Sequence, residues 1–489
     1  MKSDKLADAI GMVGDDLILD AHASSAKKKP HWKGWSVAVA AILVLAISIG
    51  TLSGRLFPSE EIPPVDTIFA MQIEAEYPDT PQYPIQPSEM SPSELAEYEA
   101  AYDKWSSYIN SQRVTYLYSE CDLSGFLSTT IPEFLTDDSG KNMAYSPLNL
   151  YIALGMLAEI TDGNSRSQIL DLLGTKDMEK LREQTQTLWN THYIDDGISS
   201  CILASSMWLD DDYSFKKSTL EALANNYYAS SYQGEADSTE FQQELRNWLN
   251  EQTGDLLKES ANSMPFPDDM IMTLATTLYF EAEWKNAFSP SANTNEVFHG
   301  YNGDVTCEFM HSSTTAKYYW GENFSATAKE LKNGGKMYFL LPDEGVSTNE
   351  VLTNAQALEL ILNTSSYENV KSLVVNLSLP KFDISSQIDF AEQIQSLGIT
   401  DVFLPGIADF SPLLEDSSAS EMYVNNIDHN VRVMIDEKGC TAAAYTAILM
   451  PGGAMPPDEE VDFCLDRPFV FIITSSSDLP LFIGVINTP

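Results

Sequence analysis

The part of the sequence best suited to a specific chemistry is the stretch Glu437–Phe463, which reads EKGCTAAAYTAILMPGGAMPPDEEVDF. Between Gly439 and Met450 it contains no proline and no charged residue, so each of its backbone N–H groups can join a strand ladder. Solvated loops usually carry Gly, Asn, Asp, Ser or Pro, whereas this run is rich in alanine and its turn-forming residues follow from Pro451 onward. The composition therefore favours a segment that can add to a β-sheet over an ordinary solvated loop.

No pattern of a catalytic or metal centre accompanies this stretch. The sequence has no GxSxG, HExxH, P-loop or GxGxxG motif, which would indicate a hydrolase, a metalloprotease or a nucleotide site. Its five cysteines have neither a CxxC pair nor zinc-ligand spacing, and an odd number cannot pair completely within one chain. We expect no catalytic residue, metal, cofactor or disulfide framework, and we predict that the chain is not an enzyme.

The charge balance narrows the choice of partners. The chain has 71 acidic and 28 basic residues and a net charge of −43. Such a surface repels nucleic acid, whose binding needs clustered Lys and Arg. It could attract cationic proteins or simply be a solvated acidic face. The hydrophobic content of 44% is sufficient for a substantial core, which argues against global disorder.

Near the N-terminus, the uncharged run from Gly34 to Gly54 has the length of a helix that crosses a bilayer. Four lysines precede it and only Arg55 follows closely, so the positive-inside rule places residues 1–33 in the cytoplasm and the remainder outside. We predict a single-pass transmembrane helix over residues 34–54. A cleaved signal peptide, followed by secretion, is the alternative.

After the apolar run, residues 55–102 are rich in Pro and Glu, which predicts a disordered, extended spacer. Within it, Ser91-Pro-Ser-Glu is a helix start signal, and good helix formers continue to Tyr108. Residues 103–489 then alternate between helix-like and strand-like segments, which indicates one folded domain of mixed α and β structure with large sheets.

Eight segments of this domain resemble the serpin family, in the family's order and spacing. They are NMAYSPLNLYIALGMLAEITDGNSRSQILDLLG, TLYFEAEWKNAF, MYFLLPDEG, LSLPKFDIS, LGITDVF, HNVRVMIDEKG, RPFVFII and LFIGVINTP. The resemblance implies an α+β fold of about nine helices around three β-sheets, with an exposed reactive loop. Together with the N-terminal run, it suggests a bacterial-type, membrane-anchored member.

The family resemblance also implies a mechanism. In inhibitory serpins, a serine protease cleaves the reactive loop, which then inserts as a strand of the central sheet and carries the acyl-linked protease with it. The resemblance assigns the loop hinge to Glu437, Lys438, Gly439, Cys440, Thr441, Ala442, Ala443 and Ala444. Cys440 stands where Thr or Ser is usual, and Tyr445 stands in a run usually made of small residues. If Cys440 points into the core, strand alternation places Tyr445 on the outer face, where we expect insertion to tolerate it.

The family's spacing places the scissile bond at Gly453–Ala454, with Ala454–Met455 as the alternative. The residues around this bond are small and uncharged, which favours an elastase-like or subtilisin-like target over a trypsin-like one. By the same resemblance, five residues match the region where the central sheet opens or the loop enters: Ser146, Asn149, Thr276, Trp284 and His429. Thr276 departs from the family's usual Asn, and both His429 and Trp284 could instead be ordinary core residues.

We therefore expect a monomeric inhibitor that acts as a suicide substrate and forms a covalent complex with an extracellular serine protease, without nucleic acid as a partner. A non-inhibitory serpin that serves as a cell-surface binding or scaffold protein is the alternative. A charged, bulky or proline-bearing hinge would indicate that alternative, and the alanine-rich hinge favours inhibition.

Overall fold

The structure, a computed structural model, describes residues 39–49, 69–84, 91–197, 199–264, 266, 270–415, 421–440 and 459–489. These residues form eleven α-helices and eighteen β-strands. The helices are α1 (Pro92–Leu117), α2 (Ser124–Leu135), α3 (Pro147–Ile160), α4 (Gly163–Leu172), α5 (Met178–His192), α6 (Lys217–Tyr227), α7 (Thr239–Gln252), α8 (Lys258–Ser263), α9 (Thr348–Leu352), α10 (Ala355–Leu362) and α11 (Ala391–Ser396).

The strands occur in the same chain order. They are β1 (Val39–Ile49), β2 (Phe69–Ile73), β3 (Met143–Tyr145), β4 (Ile194–Asp195), β5 (Ser199–Asp210), β6 (Ala229–Gly234), β7 (Met270–Glu283), β8 (Thr294–Gly300), β9 (Gly303–Gly321), β10 (Phe324–Glu330), β11 (Lys336–Pro342), β12 (Val370–Pro380), β13 (Phe382–Asp389), β14 (Met422–Ile435), β15 (Gly439–Cys440), β16 (Glu460–Cys464), β17 (Phe469–Thr474) and β18 (Pro480–Ile486).

The largest sheet has the order β13-β14-β1-β7-β5-β6-β2, with β15 paired to β7 and β4 paired to β5. The second and third sheets share the long strand β9. One has the order β16-β12-β9-β8 and the other β9-β10-β11-β17-β18-β3. The mixed α+β, three-sheet architecture expected from the sequence is thus confirmed, with eleven helices in the described residues where about nine were expected.

Helix α3 lies at the centre of the molecule, and all of its residues are buried. Ser146 caps its first turn and Pro147 occupies the first helical position, where the missing N–H leaves no bond unmade. The helix packs against β7 and β18 of two different sheets. An element buried on every side is mainly apolar, and its two buried polar side chains, Asn149 and Glu159, are hydrogen-bonded to Thr276 and Arg182 respectively.

The predicted helix start at Ser91 is confirmed, and other local elements follow from equally plain sequence features. The Ser91 start signal forms a capping box with Glu94 at the head of α1. The apolar segments around residues 270–283 and 336–342 are the buried strands β7 and β11. Helix α11 ends just before Gly398, whose φ of +99° is a conformation that only glycine adopts readily.

The predicted transmembrane helix is wrong for the part that the structure describes. Val39–Ile49 forms β1, which pairs with β7 on one side and β14 on the other. The remainder of 34–54 lies outside the described residues. An apolar run satisfies the hydropathy criterion for a membrane helix and also suits a strand whose two edges are both paired. Among the residues described, no helix is long and apolar enough to cross a membrane. The extracellular location stays a prediction.

The prediction of a disordered spacer also needs correction. Phe69–Ile73 forms β2 and pairs with β6 at the edge of the largest sheet. Beyond it, Gln82 and Tyr83 donate hydrogen bonds to the backbone carbonyls of Asp195 and Asp196, of 2.7 and 2.8 Å respectively. Proline-rich chain can be ordered in this way because its remaining backbone and side-chain donors are satisfied by another element.

Two acidic residues oppose each other in the largest sheet. Asp389 of β13 and Asp428 of β14 are direct cross-strand partners, an arrangement in which like charges repel. Burial, and then the nearby Asp389, raise the pKa of Asp428 to about 6. Because the folded-state pKa is raised, the stabilisation from the protonated carboxyl is complete below about pH 4 and is lost as the pH rises through about 6.

We therefore expect Asp428→Asn to stabilise the protein above pH 7 by about 1 kcal/mol after allowance for solvent screening. The gain should shrink near pH 4, where the native carboxyl is already protonated. Urea unfolding of both chains at the two pH values measures this. An equal gain at both pH values would show that repulsion and desolvation of the charge are not its source.

Candidate functional site

Four of the five predicted sheet-opening residues form one group, the sheet-centre cluster of Ser146, Asn149, Thr276 and His429. The Ser146 backbone N–H donates a 3.0 Å hydrogen bond to His429 Nε2. The Ser146 Oγ accepts from the Asn149 N–H at 3.3 Å, and the Asn149 side-chain amide donates to the Thr276 carbonyl oxygen at 3.3 Å. The head of α3 is thus bonded to both β7 and β14.

His429 is completely buried. Its ring stacks on Phe390 with a centroid distance of 5.1 Å and meets Tyr145 edge-on at 6.5 Å. Burial lowers the pKa of His429 to about 3, so the ring is neutral near pH 7. Since Nε2 accepts a hydrogen bond, the hydrogen-bond pattern assigns the proton to Nδ1, which has no partner among the residues described.

The departure at Thr276 has a specific consequence. The link from Asn149 ends on the Thr276 backbone carbonyl, so it does not depend on the residue type at that position. The threonine hydroxyl is buried and makes no hydrogen bond within the described part of the chain. Among the described residues, threonine at position 276 therefore leaves one hydroxyl unsatisfied, while the hydrogen bond that connects α3 to β7 is present.

Trp284 lies in a separate group, eight residues further along the chain from Thr276 and thus roughly 26 Å away along an extended strand. Its Nε1–H donates a 2.9 Å hydrogen bond to the Asp436 carbonyl oxygen, and its backbone N–H donates to the Lys438 carbonyl at 2.8 Å. The Phe288 N–H donates to the Glu437 carbonyl at 2.8 Å. We call this group, which fixes Asp436 to Gly439, the hinge anchor.

A charged contact strengthens the hinge anchor. The Glu437 carboxylate accepts hydrogen bonds from Lys381 Nζ at 2.6 Å and Asn293 Nδ2 at 2.5 Å. Burial alone would raise the pKa of Glu437, but these hydrogen bonds bring it below its ordinary value. Lys381 also holds Glu308, at 2.7 Å. The hinge therefore begins from a fixed, ionised side chain.

Gly439 starts the short strand β15. It pairs with Glu283, and Cys440 pairs with Ala282. The φ of Gly439 is +132°, and a Cβ there would lie 2.6 Å from the Ala282 carbonyl oxygen and 2.6 Å from the Trp284 nitrogen. Only glycine fits this close approach. Gly439 and Cys440 are thus aligned antiparallel to β7.

The structure separates the predicted site into these two groups and describes the hinge only as far as Cys440. The remaining predicted hinge residues and the predicted scissile bond, residues 441–444 and 453–455, lie outside the described residues. Sequence reasoning missed the hinge contacts of Phe288, Asn293 and Lys381. Phe288 and Lys381 lie within TLYFEAEWKNAF and LSLPKFDIS, two of the segments that resemble the serpin family. The family resemblance could therefore have pointed to these two residues.

Both groups border the strand β1. Residue Leu43 of β1 is the register partner of Thr276 on one side and His429 on the other. At the other end of β7, Val39 is the partner of Phe280, two residues short of Ala282, which pairs with Cys440. The strand position between β7 and β14 is therefore filled by N-terminal chain.

Removing Lys381 tests the hinge anchor. We expect Lys381→Met to lower the free energy of unfolding by about 2 kcal/mol, because Glu437 is only 15% exposed and would lose its charged partner. The exposed pair Lys217–Glu221 offers a matched control, since Lys217→Met should change stability by about 0.5 kcal/mol or less. Urea unfolding measures both. Equal effects would mean that the contact with Glu437 contributes no more than a surface pair.

Comparison with known proteins identifies the class that this fold and hinge define. The sequence model described as Serpin (serine protease inhibitor) matches residues 125–489. The chain therefore belongs to the serpin family.

Relatives of the chain support the same assignment. Serpin-Z2B of Triticum aestivum is 27% identical over 368 residues, which are 71% of this chain and 90% of that protein. The leukocyte elastase inhibitor of Equus caballus is 28% identical over 387 residues, 74% of this chain and 99% of that protein. These relatives come from a plant and a mammal and give no support to the bacterial type expected from the sequence.

Among solved structures, the thermophilic serpin tengpin in its native state superposes with a TM-score of 0.67. It is 24% identical, and the match covers 86% of this chain and all of tengpin. At this level of identity, the similarity shows the shared fold.

Proposed function

We propose that this serpin inhibits a serine protease as a suicide substrate. The observation that carries the proposal is the start of the loop: Gly439 and Cys440 already pair with β7, at the edge along which a new strand would form. The next ten residues, 441–450, contain no proline, glycine or charge that would interrupt a ladder. Family membership supports the same function.

The chemistry of the step follows from the position of the bait bond. The protease serine attacks the carbonyl carbon of Gly453, an ester to the protease forms, and the Ala454 amine leaves with the C-terminal part of the chain still bound in its sheets. Insertion of the cut loop then carries the ester-linked protease away from the hinge and deforms it before water can hydrolyse the ester. The serpin thus serves as substrate and trap, and contributes no catalytic residue.

The target class is also proposed. Small, uncharged residues surround Gly453, which suits the shallow pocket of an elastase-like or subtilisin-like protease. One of the relatives reported above is named an elastase inhibitor.

The test mixes the full chain with an elastase-like protease, and separately with a trypsin-like one, before a denaturing gel. We expect a covalent band near the summed mass with the first enzyme, and a released fragment that begins at Ala454 or Met455. Ala442→Pro is the control: it should be cut at the same bond without a covalent band, because proline interrupts the ladder. The contradicting result is cleavage without any covalent band in a chain from which β1 has been displaced, so that the position between β7 and β14 is open. That result would favour the non-inhibitory scaffold.

A further inference from the structure

The N-terminal strand β1 occupies the position that loop insertion requires. It runs antiparallel to both β7 and β14 and pairs with them along its length, from Val39 opposite Phe280 to Ile49 opposite Met422. The other edge of β7 is taken by β5, and the other edge of β14 by β13. Since each strand has two edges, the gap between β7 and β14 has room for one strand.

The hinge leads directly into this gap. Ala282 of β7 pairs with β5 on one side, so its pairing with Cys440 must use the same edge of β7 that β1 uses. Two residues further along β7, Phe280 pairs with Val39. A loop that continued from Cys440 in the same register would reach the position of Val39 at Ala442 and run in the same direction as β1.

The two competing segments are alike in sequence. From Val39 the chain reads VAAILVLAI, and from Ala442 it reads AAAYTAILM. Both runs are uncharged and free of proline and glycine, so either can provide an unbroken set of backbone donors and acceptors between two strands. Their equal register and similar chemistry make them alternative occupants of one position.

We propose that the strand Val39–Ile49 competes with the cleaved reactive loop for the position between β7 and β14 and thereby limits trapping. This inference rests on the proposed inhibitory function and adds its regulation. In each molecule in which β1 is in place, the cut loop cannot enter. Water then attacks the ester, which leaves a carboxylate on Gly453 and a regenerated serine hydroxyl on a free protease. The native chain therefore traps only through the fraction of molecules whose β1 has left this position. Release of β1 opens the position and converts the chain from a substrate into a trap.

A proline in β1 tests the competition in the full chain. Leu43→Pro removes a ladder donor at the centre of the strand, whereas Leu43→Ile keeps a good strand former and is the matched control. We expect Leu43→Pro to raise the ratio of covalently trapped to merely cut chain by roughly tenfold or more. Leu43→Ile should behave like the native chain.

A reversible crosslink tests the opposite direction. Val44 and Asp428 are direct partners in the antiparallel pair of β1 and β14, a spacing that a disulfide can bridge. We expect the double variant Val44→Cys with Asp428→Cys to be cut without a covalent band when oxidised and to regain trapping when reduced. Each single variant, oxidised in the same way, should form as much covalent complex as the native chain in both conditions.

The outcomes separate the two proposals. If neither the reduced double variant nor Leu43→Pro forms a covalent complex while both are cut, the inhibitory function is wrong. If the verified crosslink leaves trapping unchanged, or if Leu43→Pro traps no better than Leu43→Ile, the function stands and the competition is wrong. Failure of the crosslink to form under oxidation would contradict the position of β1 and overturn the competition as well.

Discussion

Lowering the pH from about 7 to about 4 is expected to reduce the free energy of unfolding by about 3 kcal/mol through His429 alone. Burial lowers the pKa of His429 to about 3, against 6.5 for the unfolded chain. A depressed pKa means that the stabilisation is complete above about pH 6.5 and is lost as the pH falls toward 3. Urea unfolding followed by tryptophan fluorescence over this range measures the loss.

The contact that protonation of His429 would break is its hydrogen bond with Ser146. A proton on His429 Nε2 would place two donors against each other, because the Ser146 N–H already points at that nitrogen. The bond lost is the one that joins α3 to β14 beside the β1 position. Acid should therefore loosen the sheet beside the position between β7 and β14.

His429→Gln is the control, because its side-chain oxygen can accept from Ser146 but does not titrate in this range. Between pH 7 and 4, we expect the free energy of unfolding of this variant to fall by about 3 kcal/mol less than that of the native chain. Since the comparison uses the change with pH, the variant's own baseline cost does not affect it. Parallel pH profiles would mean that other groups carry the acid sensitivity.

The elements that the sequence predicted well have local signals. Helix α3 combines a Ser-Pro start with a stop at Asp162-Gly163, and α1 begins at a capping box. Strand β7 is a long apolar run with β-branched residues. The ordered set of family segments then fixed how these elements assemble, which composition and periodicity do not show by themselves.

Strand β1 and the segment that precedes α1 could not be predicted in the same way. An uncharged run such as 39–49 has no period that separates a membrane helix from a strand with two paired edges. What distinguishes the two is the partner, and the partners Thr276 and His429 lie far along the chain. Residues 69–84 likewise depend on β6 and on the carbonyls of Asp195 and Asp196, which leave no mark in the local sequence.

The sequence left two interpretations of Trp284, as a residue where the loop enters and as plain core, and substitution can separate them. Trp284 is 1% exposed and packs edge-on against Phe288 with ring centroids 6.1 Å apart. Lys329 Nζ lies over both rings, at 5.7 and 4.1 Å. We expect Trp284→Ala to lower the free energy of unfolding by about 3–5 kcal/mol, as for other buried large-to-small changes. Urea unfolding measures this loss, which either interpretation would produce.

The informative variant is Trp284→Phe, which keeps most of the ring packing but loses the hydrogen bond to the Asp436 carbonyl. We expect this loss to lower the free energy of unfolding by about 1 kcal/mol. Trp208 provides the matched control, since it is also buried and its Nε1–H also donates one hydrogen bond, to Ser206 Oγ at 2.9 Å. If Trp284 positions the hinge, Trp284→Phe should lower the yield of covalent complex per folded molecule, while Trp208→Phe should leave that yield unchanged. Equal yields from the two variants would assign Trp284 to the core alone. A residue that only fills space changes the fraction of chain that is folded, but it does not change the yield of covalent complex per folded molecule.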